Sequence, residues 1–260
     1  MVNLVFFGSS PFSTIVLEKL TDHVSAVVTT PDKPAGRHLK LTPNPVKLLA
    51  QKHNLPVVEN LHDSSFIIHD STGLVAAYGK IIPQSILDKF NGQIYNIHPS
   101  LLPKYRGPSP LQQQILDGIT ETGVTIIKLD EKMDHGPIVA VANDIIFPGD
   151  TTHSLGERLF AKGADLFLSL VLSTSHLALK EQDDTLATYT QKLTRQSGFV
   201  PWDQFNPSSL NRQFRAFHPW PGVWTLNPQG VRLKLVSLHP PLVLLANRST
   251  PEPATAYLKY

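Results

Sequence analysis

The chain contains no cysteine among its 260 residues. This absence excludes disulfide bonds, a thiolate nucleophile and a zinc site built on cysteine. No apolar run approaches the roughly 20 residues that a membrane-spanning helix requires. The first residues also lack the charged start and the small-residue cleavage site of a signal peptide. We therefore expect a cytoplasmic protein that makes no use of a membrane.

The net charge is only +2, but the charges are unevenly distributed. Residues 191–260 hold eight Lys and Arg against two Asp and Glu, a net of +6, whereas residues 1–190 have a net of −4. A basic section of this kind indicates a polyanionic partner such as RNA. The alternative is a basic surface that serves only solubility.

Short apolar runs alternate with segments of helical periodicity in the first half of the chain. The runs at 3–7, 24–29, 74–78 and 94–97 predict strands, and helical segments lie between them. Strands that alternate with helices predict an α/β fold, a Rossmann-like and mostly parallel sheet with helices on both faces. In the second helical segment, Asn44 and Pro45 form a typical helix start.

The second half of the chain begins with two β-branched segments, 123–129 and 138–146, and a long amphipathic helix at 152–172. A polar stretch punctuated by Gly and Pro follows, and then come short strand candidates. We therefore predict three parts: an α/β domain at 1–180, a linker at 181–202, and a small β-rich C-terminal domain at 203–260.

Two polar residues, Asn96 and His98, lie at the end of the predicted strand 94–97. Residues two apart in a strand point to the same side, and open parallel sheets bind ligands beyond the carboxyl ends of their strands. An amide donor beside an imidazole suits a reaction that develops charge on a carbonyl oxygen. The alternative from spacing alone is that Asn96 caps the strand and His98 packs.

A third candidate, Asp134, lies in the predicted turn between the two β-branched segments. A carboxylate that hydrogen-bonds to an imidazole holds the tautomer of the ring and stabilises its protonated form. The alternative is that Asp134 serves the turn itself.

The segment from Asn96 to Gly107, together with 121–125 and 133–136, closely resembles the signature of the 10-formyltetrahydrofolate-dependent formyltransferases. The resemblance implies that Asn96, His98 and Asp134 are catalytic and that no metal is needed. It implies that the folate formyl donor contacts Tyr78, Gly79, Ile81, Ile82, Pro83, Ser100, Leu101, Leu102, Pro103, Asp130 and Met133. It implies that the acceptor contacts Phe7, Gly8, Ser9, Arg37, Lys40, Arg106, Gly107 and Arg215.

Two further segments concern the choice of acceptor. Residues 30–47 resemble the loop that the family members acting on methionyl initiator tRNA insert at the acceptor end of the tRNA, and 215–221 resembles the start of their C-terminal barrel. The resemblance implies an enzyme that formylates the amino group of methionyl initiator tRNA for translation initiation, and we expect a monomer. The alternatives are a solvated basic loop around Arg37 and, as acceptor, an amino-sugar nucleotide or another small amine.

The part of the chain after the predicted linker is short for the closed barrel of that family. Five strands of ordinary length do not fit into some 50 residues, so we expect a truncated barrel. Two competing classes are an RNA-binding or regulatory protein that kept the fold and a dinucleotide-dependent oxidoreductase. The oxidoreductase hypothesis is weakened because the first turn, 8–11, lacks the Gly-x-Gly-x-x-Gly fingerprint.

Overall fold

The computed structural model describes residues 3–35, 39–61, 71–172, 178–246 and 248–257. The chain divides into two compact units. The first unit comprises 1–107, 122–144 and 156–189, and the second comprises 108–121, 145–155 and 190–260. The segment 181–202, which we predicted as a linker, is thus divided between the units. Its first part is tied into the first unit, for example by a hydrogen bond from Arg106 N to Thr188 O.

The strands are β1 (Leu4–Phe7), β2 (Val24–Val28), β3 (Lys33–Ala35), β4 (Lys40–Thr42), β5 (Val57–Val58), β6 (Thr72–Val75), β7 (Ile94–His98), β8 (Glu121–Lys128), β9 (Ile138–Ile145), β10 (Trp224–Leu226), β11 (Arg232–Leu238), β12 (Pro241–Leu245) and β13 (Glu252–Pro253). The helices are α1 (Pro11–Leu20), α2 (Pro45–Lys52), α3 (Gln84–Leu87), α4 (Pro110–Asp117), α5 (Thr152–Leu172) and α6 (Asn211–Phe217). Short 3-10 helices lie at Thr21–His23, Asp88–Phe90, Asp184–Leu186, Arg195–Gly198, Trp202–Gln204 and Ala254–Ala256.

The first unit is built on a seven-stranded sheet with the order β5-β2-β1-β6-β7-β8-β9. The strands from β5 to β7 pair in parallel, and β8 pairs with β7 in antiparallel orientation. The prediction of a mostly parallel sheet is therefore confirmed. A small hairpin of β3 and β4 was not predicted, because strands of three residues show no readable alternation.

Helices cover both faces of this sheet, as predicted. On one face, a Cβ atom added to Gly163 of α5 would lie 2.5 Å from Ile97 Cγ2 of β7, and the rings of Phe167 and Tyr95 are 5.9 Å apart. On the other face, Phe7 of β1 packs in a buried cluster with residues of and around α3. Because side chains alternate along a strand, Ile94, Asn96 and His98 of β7 share this second face.

Two helices begin with the capping chemistry that their sequences indicate. Ser10 and Ser13 form a capping box at α1 with Pro11 in the first turn. Asn44 Oδ1 accepts hydrogen bonds from the backbone of Val46 and Lys47, which confirms the predicted start of α2. These caps set where α1 begins after β1 and where α2 begins after β4.

The second unit contains a four-stranded antiparallel sheet with the order β10-β11-β12-β13. This confirms a small β-rich C-terminal domain. Its core includes Phe205, Phe217, Val223, Leu235 and Val243. The seven-residue helix α6 was not predicted, since it is too short for the helical period to stand out.

Within the part of the chain that the structure describes, no helix combines the length and the apolar character that crossing a membrane demands.

Candidate active site

The segments predicted to bind ligands begin at one edge of the sheet. Residues 8–9 follow β1, residues 76–83 follow β6, and residues 99–103 follow β7. Since these three strands are parallel neighbours, their carboxyl ends lie at the same edge. Ser9 Oγ donates a hydrogen bond to Tyr78 O at 2.5 Å and so joins the first two segments. This edge is where open α/β sheets bind their ligands.

The three predicted catalytic residues meet at this edge. Nδ2 of Asn96 donates to Oδ1 of Asp134 at 3.3 Å, and Nδ1 of His98 lies 3.6 Å from the same oxygen. Asp134 comes from the loop between β8 and β9, and 14% of its side chain is exposed, whereas His98 is buried. The structure thus groups an amide, an imidazole and a carboxylate around one oxygen atom.

The backbone of the Asp134 loop is shaped to hold this carboxylate. Asp134 has a φ of 50°, in the left-handed region that is uncommon for residues other than glycine. Its second oxygen, Oδ2, accepts a hydrogen bond from Gly107 N at 2.7 Å. Two residues further on, a Cβ atom at Gly136 would lie 1.9 Å from Lys128 O, so only glycine fits there.

The tautomer of His98 follows from its second contact. Nε2 of His98 is 2.9 Å from the backbone oxygen of Tyr105. A carbonyl oxygen only accepts hydrogen bonds, so Nε2 carries a hydrogen. In the neutral ring, Nδ1 is therefore unprotonated, and it is the nitrogen that faces Asp134.

The segment after β7, predicted to contact the folate donor, is held by the neighbouring strand. Thr125 lies opposite His98 in β8, and its Oγ1 donates to Ser100 O at 2.6 Å and accepts from Leu102 N at 3.2 Å. Ser100 is fully buried, so its side chain is part of the framework of the site. Leu101 and Pro103 of the same segment are partly exposed.

Two predicted ligand-binding residues have their side chains in the core. Tyr78 is 2% exposed, and its ring packs edge-on against Phe7 with centroids 5.8 Å apart. Burial raises the pKa of Tyr78 above its ordinary value. A ligand at this edge would therefore meet only the backbone of Tyr78 and Phe7.

A cleft of 330 Å³ lies beside these segments. Its lining consists of Gln84, Leu87, Asp88, Asn91, Gly92, Ile94, Leu129 and Asp130. Asp130 is one of the predicted donor-binding residues, and Gln84 directly follows another, Pro83. Two more of the predicted donor-binding residues have largely exposed apolar side chains, Ile81 at 85% and Met133 at 58%. Gly79 has a φ of 74°, and Ile82 packs against the buried cluster around Phe7.

The residues predicted to contact the acceptor have different environments. Gly8 N donates to Val28 O, and Lys40 is exposed on β4. Arg37 lies outside the described residues. Arg215 belongs to the second unit, where it donates to Asp150 O at 2.8 Å, and burial lowers its pKa. Arg106 is only 1% exposed and makes its contacts inside the first unit.

Sequence reasoning missed the residues that Arg106 contacts. Its guanidinium donates to Gln182 Oε1, to Asp184 Oδ1 at 2.8 Å and to the Tyr189 hydroxyl at 3.2 Å. All three lie in the polar segment that we predicted as a linker. No periodicity or motif marks them, because their function depends on partners more than 70 positions away in the chain.

Across the ranges described above, no group of three or more His, Cys, Asp and Glu is arranged to hold a metal ion.

The fold, together with the polar groups at the carboxyl edge of its sheet, is typical of α/β enzymes. Residues 2–171 match the family model described as formyl transferase, and residues 192–254 match the model of the formyl transferase C-terminal domain. The chain therefore belongs to the formyltransferase family.

The chain is 40% identical over 236 residues to the methionyl-tRNA formyltransferase of Chloroflexus aurantiacus, covering 86% of this chain and 76% of that protein. It is also 40% identical over 250 residues to the methionyl-tRNA formyltransferase of Roseiflexus castenholzii, covering 91% and 79% respectively. Its fold resembles a sugar 3-N-formyltransferase solved in the presence of dTDP and 5-N-formyl-tetrahydrofolate, with a TM-score of 0.68 and 20% identity over 95% of this chain and 88% of that chain. At this identity the likeness concerns the fold.

Proposed function

We propose that this chain transfers the formyl group of 10-formyltetrahydrofolate to the free amino group of methionyl initiator tRNA. The observation that carries the proposal is the convergence of Asn96, His98 and Asp134 at the carboxyl end of β7. The two methionyl-tRNA formyltransferases that share 40% identity with the chain support this choice of acceptor. Because initiator tRNA is a substrate of translation, we propose that the protein acts in the cytoplasm.

The three side chains have the atoms that the reaction requires. When the amine attacks the formyl carbon, negative charge develops on the formyl oxygen and positive charge on the amine nitrogen. Asn96 Nδ2 has two hydrogens and uses one toward Asp134, so the second is available for that oxygen. His98 adds a further donor when Nδ1 is protonated, and Asp134 stabilises the positive ring at 3.6 Å.

Asp134 also accounts for the proton that the amine must lose. Its Oδ2 accepts from Gly107 N, which fixes the carboxylate, while Oδ1 faces both Asn96 and His98. We propose that Asp134 takes this proton directly or through a water molecule, and that the proton passes to N10 of the folate as the bond between N10 and the formyl carbon breaks and tetrahydrofolate leaves. Its partly exposed position allows the acceptor to reach it.

The 330 Å³ cleft beside α3 suits the ring system of the donor. Leu87, Ile94 and Leu129 supply apolar walls, and Asp130 and Asn91 supply groups that hydrogen-bond to a heterocycle. Small-molecule sites in proteins combine these two features. We propose that the pterin ring of the folate binds here, with the formyl group directed toward Asn96 and His98.

The proposal is tested by following labelled formyl from 10-formyltetrahydrofolate to methionyl initiator tRNA. Unacylated initiator tRNA, which lacks the methionyl amine, is the matched control. A panel of amino-sugar nucleotides is assayed in parallel. Transfer to the charged tRNA alone is the expected result, while preferential transfer to an amino sugar would overturn the choice of acceptor.

A further inference from the structure

The carboxamide of Gln182 holds the Asp134 loop from outside the reacting groups. Nε2 of Gln182 donates to Asp134 O at 3.0 Å and to Gly136 O at 2.8 Å. The two carbonyls flank His135, so one side chain fixes the loop on both sides of it. Asp134 needs such support, because its φ of 50° is a conformation that few residues adopt without a surrounding structure that imposes it.

The orientation of Gln182 is set in turn by Arg106. Oε1 of Gln182 accepts from Nε of Arg106 at 3.1 Å and from a terminal nitrogen of the same guanidinium at 2.8 Å. A guanidinium only donates and a carbonyl only accepts, so the amide has one orientation that satisfies both ends. The fork of the guanidinium, buried to 1% exposure, makes this orientation rigid.

The same part of the chain also supports the partner of His98. Arg106 N donates to Thr188 O at 2.8 Å, and Tyr105 N donates to the Thr188 hydroxyl at 2.8 Å. Tyr105 O is the group that binds Nε2 of His98, and Gly107 N binds Oδ2 of Asp134. The backbone at 105–107 thus touches both His98 and Asp134, and it is itself held by residues 188–189.

We infer that Gln182, oriented by Arg106, is a positioning residue for Asp134. The inference rests on the proposed function, in which Asp134 is catalytic. Gln182 touches the backbone of the Asp134 loop and acts only through it. A contact that only stabilised the fold would lower kcat by the same factor whether or not the Asp134 carboxylate were present. The loss of kcat on removing Gln182 should instead depend on that carboxylate.

The first test is a double-mutant cycle on formyl transfer. Gln182→Ala should lower kcat by about 10- to 100-fold and leave both KM values nearly unchanged, because small displacements of catalytic groups have effects of this size. Once the carboxylate is absent, Gln182→Ala should not lower kcat further. The kcat of Asp134→Ala/Gln182→Ala should therefore match that of Asp134→Ala within about twofold. Losses that multiply would overturn the inference.

Two variants separate positioning from folding. Gln182→Glu keeps the contact with Arg106 but presents a carboxylate to the carbonyls of residues 134 and 136, so kcat should fall as far as in Gln182→Ala although the protein is folded. Gln113→Ala removes a carboxamide that donates to Asp117 in the second unit and should leave kcat unchanged. Parent-like kcat in Gln182→Glu would overturn the inference.

A readout without catalysis distinguishes failure of this inference from failure of the proposed function. The amide hydrogen of Gly107 is buried and donates to Asp134 Oδ2, so its hydrogen exchange reports where the carboxylate lies. Gln182→Ala should lose protection at Gly107, and Gln113→Ala should keep it. Unchanged protection in Gln182→Ala would refute positioning, whichever amine the enzyme formylates.

Discussion

Asn96 and Asp134 are separated by 38 positions in the chain, yet Nδ2 of the amide lies 3.3 Å from Oδ1 of the carboxylate. The contact joins the end of β7 to the loop between β8 and β9, and it exists because β8 pairs with β7.

Removing either partner of the imidazole-carboxylate pair should slow catalysis. We expect His98→Ala and Asp134→Asn each to lower kcat by about a hundredfold or more, since acid-base and charge-stabilising groups contribute on this scale. Steady-state kinetics with charged tRNA, together with calorimetry of folate binding, measure the effect. His153→Ala, at an exposed position of α5, is the control. A variant of the pair with normal turnover would exclude that residue from the mechanism.

The segment 30–47, which resembles the acceptor-end loop of the tRNA-specific family members, should determine affinity for the tRNA acceptor. We expect Arg37→Ala to raise the KM for charged tRNA while folate binding is unchanged, because phosphate contacts position the substrate without taking part in the chemistry. Lys19→Ala, which removes an exposed cation paired with Asp165, is the matched control. Unchanged kinetics with tRNA would favour a smaller acceptor.

The side chain of Tyr78 should matter for stability and not for binding the donor. Its ring is buried against Phe7, and only its backbone faces the carboxyl edge of the sheet, where Ser9 donates to Tyr78 O. We expect Tyr78→Phe to bind folate like the parent protein, whereas Tyr78→Ala should lower the free energy of unfolding by about 3 to 5 kcal/mol. Urea unfolding and calorimetry separate the two. Weakened folate binding in Tyr78→Phe would show that the hydroxyl contacts the donor.

Asp184 should stabilise the fold in a manner that depends on pH. The hydrogen bond from Arg106 holds the pKa of Asp184 below its usual value of 3.8. The unfolded chain therefore binds this proton more readily, so the stabilisation is present above pH 3.8 and is lost as the pH falls through the lower folded pKa. We expect Asp184→Asn to lower Tm at pH 7 and the difference to shrink as the pH falls below 3.8. An equal difference at both ends of the range would contradict this assignment.

Basic residues of the second unit should contribute to tRNA affinity through salt-dependent contacts. Residues 203–260 share a compact unit with 108–121, so deleting them would also disturb that segment. Point substitutions avoid this problem. We expect Arg212→Ala/Lys234→Ala to weaken tRNA binding and to reduce the slope of log affinity against log salt by about two, one for each lost phosphate contact. Arg248→Ala, whose guanidinium pairs with Glu252, is the control and should leave the slope unchanged. Equal slopes in parent and double variant would assign the basic surface to solubility.

Much of the first unit could be predicted because its signals are local. Each signal depends on residues that are near one another in the chain: the apolar run at β1, the Asn44 cap of α2 and the periodicity of α5. The strands β3 and β4 and the helix α6 were missed because three to seven residues are too few to show a period. The polar segment 181–189 has no pattern at all, so its part in the first unit was not visible.

By itself, the sequence determined the alternation of strands and helices, the family signature and the identity of the three candidate catalytic side chains. Only the tertiary structure showed that Asn96 and His98 share one carboxylate oxygen, that Tyr78 belongs to the core, and that Arg106 is buried. The physical reason is that hydrogen-bond partners and burial depend on which distant segments pack together. Gln182 contacts the loop of Asp134, 48 positions away, because the backbone after β7 holds residues 188–189 beside it, and no local pattern encodes that approach.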